Sequence, residues 1–419
     1  MTTNVVLIGA RLIKNLGGPS MVAGSVRALS ASFENPRFTL VLPPGDPEAD
    51  RQRARRYDVA VIPEVNDVSF LKKIVPLTLL KRLGISAGPP HLRKLLHVLH
   101  EADVIVDIWG IALTDSLGSN SFYARLIEGQ FYILARILGK PFIKYTSDLG
   151  PFQSKWNRFF AKLYLNRFTK LVLARDEETA ACVRAIGVKT KMIICPDTAF
   201  LMEPEDTDIS RRLAACRRER PVIGLSVSFQ LFNRAGASVD YIGIMAGFVR
   251  HAIATCGAHV VIIPNELSDG PHDDTKIAER VKAQVKSDGC EIVYTEGMTA
   301  PETKGVIREC DAIVAARYHS IVAALSMGVP TFALGWHHKY AGILSLFGQE
   351  HRMCAIDSLR AEDVNAKFDE LWRQRAEVRE RILAGLADVR ARVLAGAEQA
   401  ASVLSGKHRK EATAGALVW

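Results

Sequence analysis

The chain has 419 residues, 48% of them hydrophobic and 24% charged, with a formal net charge of +9. That length exceeds one ordinary core and points to two domains of about 200 residues each. The composition is that of a soluble globular protein, and no apolar run reaches the roughly 18 residues that a membrane span needs.

The N-terminus runs straight into the apolar stretch Val5-Val6-Leu7-Ile8 with no charged leader or cleavage site, so the sequence reads as cytoplasmic. Short apolar runs then alternate with helical segments: Asn4 to Gly9, Phe38 to Leu42, Val59 to Ile62, Val104 to Ile108, Pro141 to Tyr145, Leu171 to Ala174 and Met192 to Cys195. The pattern resumes with Val222 to Val227, His259 to Ile263, Glu291 to Tyr294, Ala312 to Ala315, Thr331 to Leu334 and Met353 to Ile356. Strands alternating with helices predict parallel sheets covered on both faces. The expected fold is therefore α/β, two Rossmann-like domains facing across a cleft. The shift to acidic and then basic residues around Glu203 to Asp208 places the hinge there. This gives domains at 1–205 and 206–358, an alanine-rich helical segment at 359–405 expected to pack back across the hinge, and a mobile tail at 406–419.

In open parallel sheets ligands bind outside the carboxyl ends of the strands. The first such end opens the loop Gly9 to Ser20, where Asn15 and Gly17 precede Pro19 and Ser20. With Pro19 at a first helical position, the loop can turn backbone N–H groups and Asn15 toward a ligand, or serve as an ordinary strand-helix turn. Asp107 with Trp109, Thr146-Ser147-Asp148, Arg175-Asp176-Glu177 and Pro196-Asp197-Thr198 stand at later ends. Arg175 is singled out because it ends a strand and immediately precedes a helix. In the second half, Pro264-Asn265-Glu266 and His272-Asp273-Asp274 could line the site, although capping of the next helix is the favoured role. The richest end is Arg317-Tyr318-His319-Ser320, between a buried strand and a small apolar helix closed by Gly328-Val329-Pro330. The next strand leads into Gly335-Trp336-His337-His338-Lys339. Neighbouring strand ends thus offer Arg317, His319 and Lys339.

The seven cysteines are scattered and never spaced as CxxC, which excludes a zinc ribbon and argues against a disulfide framework. No metal-ligand cluster is legible. Basic clusters such as Arg51 to Arg56, Lys72-Lys73 with Lys81-Arg82, and Arg211-Arg212 with Arg217-Arg218-Arg220 are read first as solvated faces. No nucleic-acid motif accompanies them, and a peripheral contact with the inner face of a membrane stays open.

At Arg317-Tyr318-His319-Ser320, Gly328-Val329-Pro330, Lys339 and Phe347-Gly348 the chain resembles the polysaccharide pyruvyl transferase family, with further echoes at Asn15-Leu16-Gly17, Arg175-Asp176-Glu177 and Pro196-Asp197. The resemblance implies a GT-B-like architecture with phosphoenolpyruvate as donor, a sugar of a polysaccharide, lipid-linked oligosaccharide or glycolipid as acceptor, and no cofactor or metal. It implies the acceptor on the N-terminal side and the donor on the C-terminal side. It implies His319 as general acid or base, with Arg317, Lys339 and the cross-cleft Arg175 on the donor's phosphate and carboxylate. Asn15, Gly17 and His338 are carried as substrate contacts. Gly18 stands where the family has an acidic residue, and Trp109 where it has the first of two glycines. The chemistry agrees independently: forked arginines suit both anionic groups of this donor, and an imidazole titrating near neutrality can move the protons. Two other classes remain, a nucleotide-sugar glycosyltransferase of the same fold and a binding or scaffold homologue without activity.

Overall fold

The computed structural model describes residues 2–42, 47–63, 68–115, 121–236, 238–267, 273–335 and 339–415. Each apolar run becomes a parallel strand, because aliphatic and β-branched side chains fill both faces of a covered sheet. In the first sheet the strands are β1 (Thr3–Ile8), β2 (Pro36–Leu42), β3 (Val59–Pro63), β4 (Val104–Asp107), β5 (Ile111–Ala112), β6 (Phe142–Leu149), β7 (Leu171–Ala174) and β8 (Met192–Ile194). Their order is β3-β2-β1-β4-β6-β7-β8, with the two-residue β5 beside the end of β6. The second sheet contains β9 (Val222–Ser226), β10 (His259–Ile262), β11 (Cys290–Ile292), β12 (Ala312–Ala315), β13 (Thr331–Gly335) and β14 (Met353–Ala355), ordered β11-β10-β9-β12-β13-β14. Except between β4 and β5, helices connect successive strands, as parallel pairing requires.

In both sheets the strand order reverses once, between β1 and β4 in the first and between β9 and β12 in the second. A crevice outside the carboxyl ends of those strands is where doubly wound sheets bind ligands. The sequence located every strand except β5, which is too short to leave a periodic signal.

The chain divides into two compact units: residues 1–13, 21–198 and 391–419 form one, and residues 14–20 and 199–390 the other. The loop Lys14–Ser20, expected in the N-terminal domain, is therefore part of the second unit. Backbone hydrogen bonds explain why: Leu16 N–H donates to Asn265 O at 3.2 Å and Leu267 N–H to Lys14 O at 2.6 Å. The following helix begins within this segment, at Gly17, two residues before Pro19. The C-terminal segment is two helices, Ala361–Arg373 and Arg375–Gly415, and the second continues through residues 406–415, which the sequence sets apart as a tail.

The helix Ala361–Arg373 is amphipathic and buries Val364, Phe368 and Leu371 in the second unit. Phe368 meets Phe248 edge to face with ring centroids 4.9 Å apart. Truncating a fully buried phenylalanine removes its transfer free energy and leaves a cavity, so Phe368→Ala should lower the stability of this unit by about 3–5 kcal/mol in urea unfolding. A loss below about 1 kcal/mol would show that this helix is not part of the unit's core.

Candidate functional site

The residues singled out in the second half converge at the end of β12. Arg317 sits at the N-cap of the helix Tyr318–Ser326 in an extended conformation, and its side chain makes no capping bond. The guanidinium turns instead to Asp274, donating from Nε to Oδ2 at 2.8 Å and from Nη2 to Oδ1 at 2.5 Å. Its Nη1 lies 2.6 Å from Glu266 Oε2. Burial alone would push Arg317 down, but the Asp274 and Glu266 carboxylates more than reverse this and hold the cation charged.

Asp274 is wholly buried, and its oxygens also accept the N–H groups of Phe229 at 2.8 Å, Asn265 at 3.3 Å and Glu266 at 2.9 Å. Capping of the helix Asp274–Val285, expected of this pair of aspartates, falls to Asp273 alone, whose Oδ1 accepts from Thr275 N–H.

His319 follows at the second position of the same helix, its ring edge-on to Tyr318. The loop Lys14–Ser20 passes directly over it. Asn15 forms an antiparallel bridge with Glu266, and its Oδ1 accepts the Gly17 N–H at 2.8 Å. A Cβ added at Gly17 would lie 2.5 Å from His319 Nδ1, so only glycine lets the backbone approach the imidazole this closely. Ser320, next along, accepts from Asn265 Nδ2 at 3.0 Å and shares a hydrogen bond with Ser226 at 2.9 Å, which ties the end of β9 to this turn. Lys339 begins the helix Lys339–Ser345, with its ammonium 5.2 Å from the Tyr318 ring and 5.4 Å from the Tyr340 ring. Asn15, Gly17, Arg317, His319 and Lys339 thus meet around one helix N-terminus, whose N–H groups favour an anion. His338, with Trp336 and His337, lies outside the described residues.

Arg175 belongs to the first unit and is enclosed there. Its Nη1 donates to Asp148 Oδ2 at 2.9 Å, and its Nη2 is 2.8 Å from Asp197 Oδ2. Three strand ends noted in the sequence are joined by this one guanidinium.

At the strand reversal of the same unit lies a cavity of about 600 Å³. Gly9 and Ala10 after β1, Asp107 at the end of β4 and Trp109 beyond it, and Arg125, Glu128 and Tyr132 from the helices Phe122–Glu128 and Gln130–Leu138 line it. Gly9 has φ +90°, and a Cβ there would come within 2.9 Å of Asp107 Oδ1. At its floor Asp107 Oδ2 accepts from Lys144 Nζ at 2.8 Å. Burial pushes the Lys144 ammonium below its ordinary value, with the Asp107 carboxylate opposing. Glu128 pairs with Arg125 and accepts the Leu113 N–H at 2.6 Å; burial raises its carboxyl pKa. Trp109, among the residues that line the cavity, is 48% exposed. Sequence reasoning noted Asp107 and Trp109 but missed Lys144. A lysine within the otherwise apolar run Pro141 to Tyr145, in register opposite an aspartate, was the available signal.

Comparison with known proteins agrees with this picture. Two Rossmann-like parallel-sheet units are the GT-B-like class of fold. Similar solved structures include Anabaena Alr3699/HepE in complex with UDP and glucose, with a TM-score of 0.57, 14% identity, and coverage of 96% of this chain and 100% of that one. Another is the Neisseria meningitidis UDP-GlcNAc 2-epimerase bound to UDP-GlcNAc, with a TM-score of 0.58, 12% identity, and coverage of 98% and 100%. At such identities the likeness extends to the fold. The family model for polysaccharide pyruvyl transferases matches residues 15–338, and the chain belongs to that family. It is also 23% identical over 323 residues to the amylovoran biosynthesis protein AmsJ of Erwinia amylovora, covering 71% of this chain and 74% of that protein. A transferase acting in polysaccharide biosynthesis is the activity this membership defines.

Breaking a buried ion pair by removing one partner costs about 3–5 kcal/mol, because the surviving charge is left uncompensated. Asp274→Asn should therefore lower stability by about that amount in urea unfolding, and the double change Asp274→Asn with Arg317→Met should recover part of the loss. Equal stability of Asp274→Asn and the parent would show that the pair is not the anchor described.

Proposed function

We propose that this protein transfers the pyruvyl group of phosphoenolpyruvate to two hydroxyls of a sugar, forming a ketal and releasing phosphate. The observation that carries the reading is the gathering of His319, Arg317 and Lys339 at one helix N-terminus in a member of this family. The donor is a dianionic phosphate beside a carboxylate, and a cationic site at a helix start suits both.

The chemistry follows from the residues. A proton delivered to the donor's methylene carbon makes its C2 an oxocarbenium-like centre. One sugar hydroxyl adds there, phosphate leaves, and a second hydroxyl closes the ketal. Of the two hydroxyl protons, one balances the new methyl group and the other leaves with phosphate. His319, half-buried and held against Gly17, is the proton carrier. Lys339, held between two tyrosine rings, supplies fixed positive charge. Arg317 has Nε and Nη2 committed to Asp274, so the donor competes with Glu266 for Nη1.

Acceptor binding is assigned to the cavity of the first unit. Its half-exposed Trp109 offers an aromatic surface on which a sugar ring can stack, and Thr114, Gln130 and Tyr132 add polar groups to the lining. Arg175, held by Asp148 and Asp197, fixes the strand ends around it in the first unit.

Calorimetric titration with phosphoenolpyruvate, with UDP-glucose as the parallel control, tests the donor. Saturable binding of phosphoenolpyruvate alone is expected; binding of UDP-glucose alone would overturn the reading. Phosphate release with a panel of hexosides then reports turnover. His319→Ala should lower kcat by about 100-fold or more while donor affinity stays within a few-fold. Glu266→Gln frees Nη1 and should tighten donor binding, whereas Arg317→Ala should weaken it; unchanged kcat in His319→Ala would remove its assigned role.

A further inference from the structure

Most large apolar side chains exposed on the first unit lie on three packed helical segments. On the helix Lys155–Leu163 the exposed positions are Lys155, Trp156, Arg158, Phe159 and Lys162, every one a cation or an aromatic ring. Phe159 is 55% exposed, and Tyr123, on the adjacent helix Phe122–Glu128, is 63% exposed. The rings form one cluster: Phe122 lies 5.1 Å from Trp156 and 5.7 Å from Tyr123, edge to face in both cases. Lys155 Nζ sits 5.3 Å over the Trp156 ring.

The helix Phe122–Glu128 packs between that helix and Val68–Arg82. The latter continues the pattern with exposed Leu79, Arg82 and Leu83, the last 75% exposed, and with Lys72 and Lys73 toward its start. Neither outer helix carries a carboxylate. The one acid of the middle helix, Glu128, is turned inward onto Arg125 and the Leu113 N–H.

Exposed aromatics in water cost solvation free energy, and a monomer does not ordinarily gather them into one patch without a partner. A partner made of protein would be met by an apolar core with charge at its rim. On the helix Lys155–Leu163 the cations are interleaved with the rings, and on the segment Val68–Arg82 they lie beside exposed leucines, which suits a surface both apolar and negative. Tryptophan and tyrosine rings favour the boundary between hydrocarbon and headgroups, and long cationic side chains reach from there to phosphates. No helix among the described residues is long and apolar enough to cross a membrane.

We infer that the face formed by the helices Val68–Arg82, Phe122–Glu128 and Lys155–Leu163 docks the protein on an anionic phospholipid surface. The middle helix places Phe122 and Tyr123 on this face and Arg125 and Glu128 in the wall of the cavity described above. A sugar carried on a lipid would therefore be offered beside that cavity. Docking itself is independent of the chemistry assigned to either unit.

Co-sedimentation of the full chain with vesicles tests this directly. Vesicles of equal parts phosphatidylcholine and phosphatidylglycerol should bind the protein, with the bound fraction falling as salt rises, whereas pure phosphatidylcholine should bind far less. Lys155→Glu with Lys162→Glu should weaken partitioning more than about tenfold. Tyr123→Ser with Phe159→Ser should do the same through lost apolar insertion, and both variants should unfold at the parent's temperature because these side chains are exposed. Failure of the parent to bind anionic vesicles, or binding by both variants as tight as the parent's, would overturn the inference. So would a concentration-dependent dimer in sedimentation equilibrium that Phe159→Ser dissociates, since the face would then belong to a second copy of the chain.

Discussion

A carboxylate removed entirely from water must have its charge balanced and its lone pairs occupied, and Asp274 meets both conditions in a way that shapes the second unit. Three backbone N–H groups and two guanidinium nitrogens converge on it. Phe229 follows β9, Asn265 and Glu266 follow β10, and Arg317 follows β12, so one side chain pins three strand ends at the reversal of the sheet. Once Arg317 is fixed, the helix behind it starts at Tyr318, and His319 emerges against Gly17. The position of the imidazole is thus inherited from an ion pair it does not touch.

The first unit uses the same device with other residues. Arg175 at the end of β7 is held by Asp148 at the end of β6 and Asp197 just past β8. Each unit therefore contains a buried arginine between two carboxylates at the carboxyl edge of its sheet. Arginine suits this work because its planar fork satisfies several acceptors at once and keeps its charge when buried. The two clusters differ in what they leave exposed. Glu266 keeps a partly accessible side chain, whereas Asp148 and Asp197 are almost wholly enclosed.

The strands were legible because parallel sheets covered on both faces demand uninterrupted apolar runs, and the glycines and prolines between them are unambiguous. That Arg317, His319 and Lys339 stand near the carboxyl ends of their strands was legible for a related reason: residues that shortly follow such a run gather at that edge of the sheet. What the sequence hid depends on pairing across distance. Asp273 and Asp274 look like equivalent caps, and only the fold shows that one caps a helix while the other anchors an arginine. Lys144 is one polar letter inside the apolar run Pro141 to Tyr145, and it acquires meaning only from its register opposite Asp107. The membership of Lys14–Ser20 in the second unit was hidden too, since nothing local distinguishes a loop that serves its own sheet from one that serves another.

That membership bears on the order in which the protein is made. Lys14–Ser20 leaves the ribosome long before Asn265, Glu266 and His319 exist to receive it. The segment must stay unclaimed while most of the first unit is synthesised, and the second unit can be finished only by a piece of chain already waiting. A fragment spanning 199–390 alone would hold Asp274, Arg317, His319 and Lys339 yet lack the backbone that covers the imidazole. Neither unit can be inherited, duplicated or exchanged as a single uninterrupted stretch of sequence.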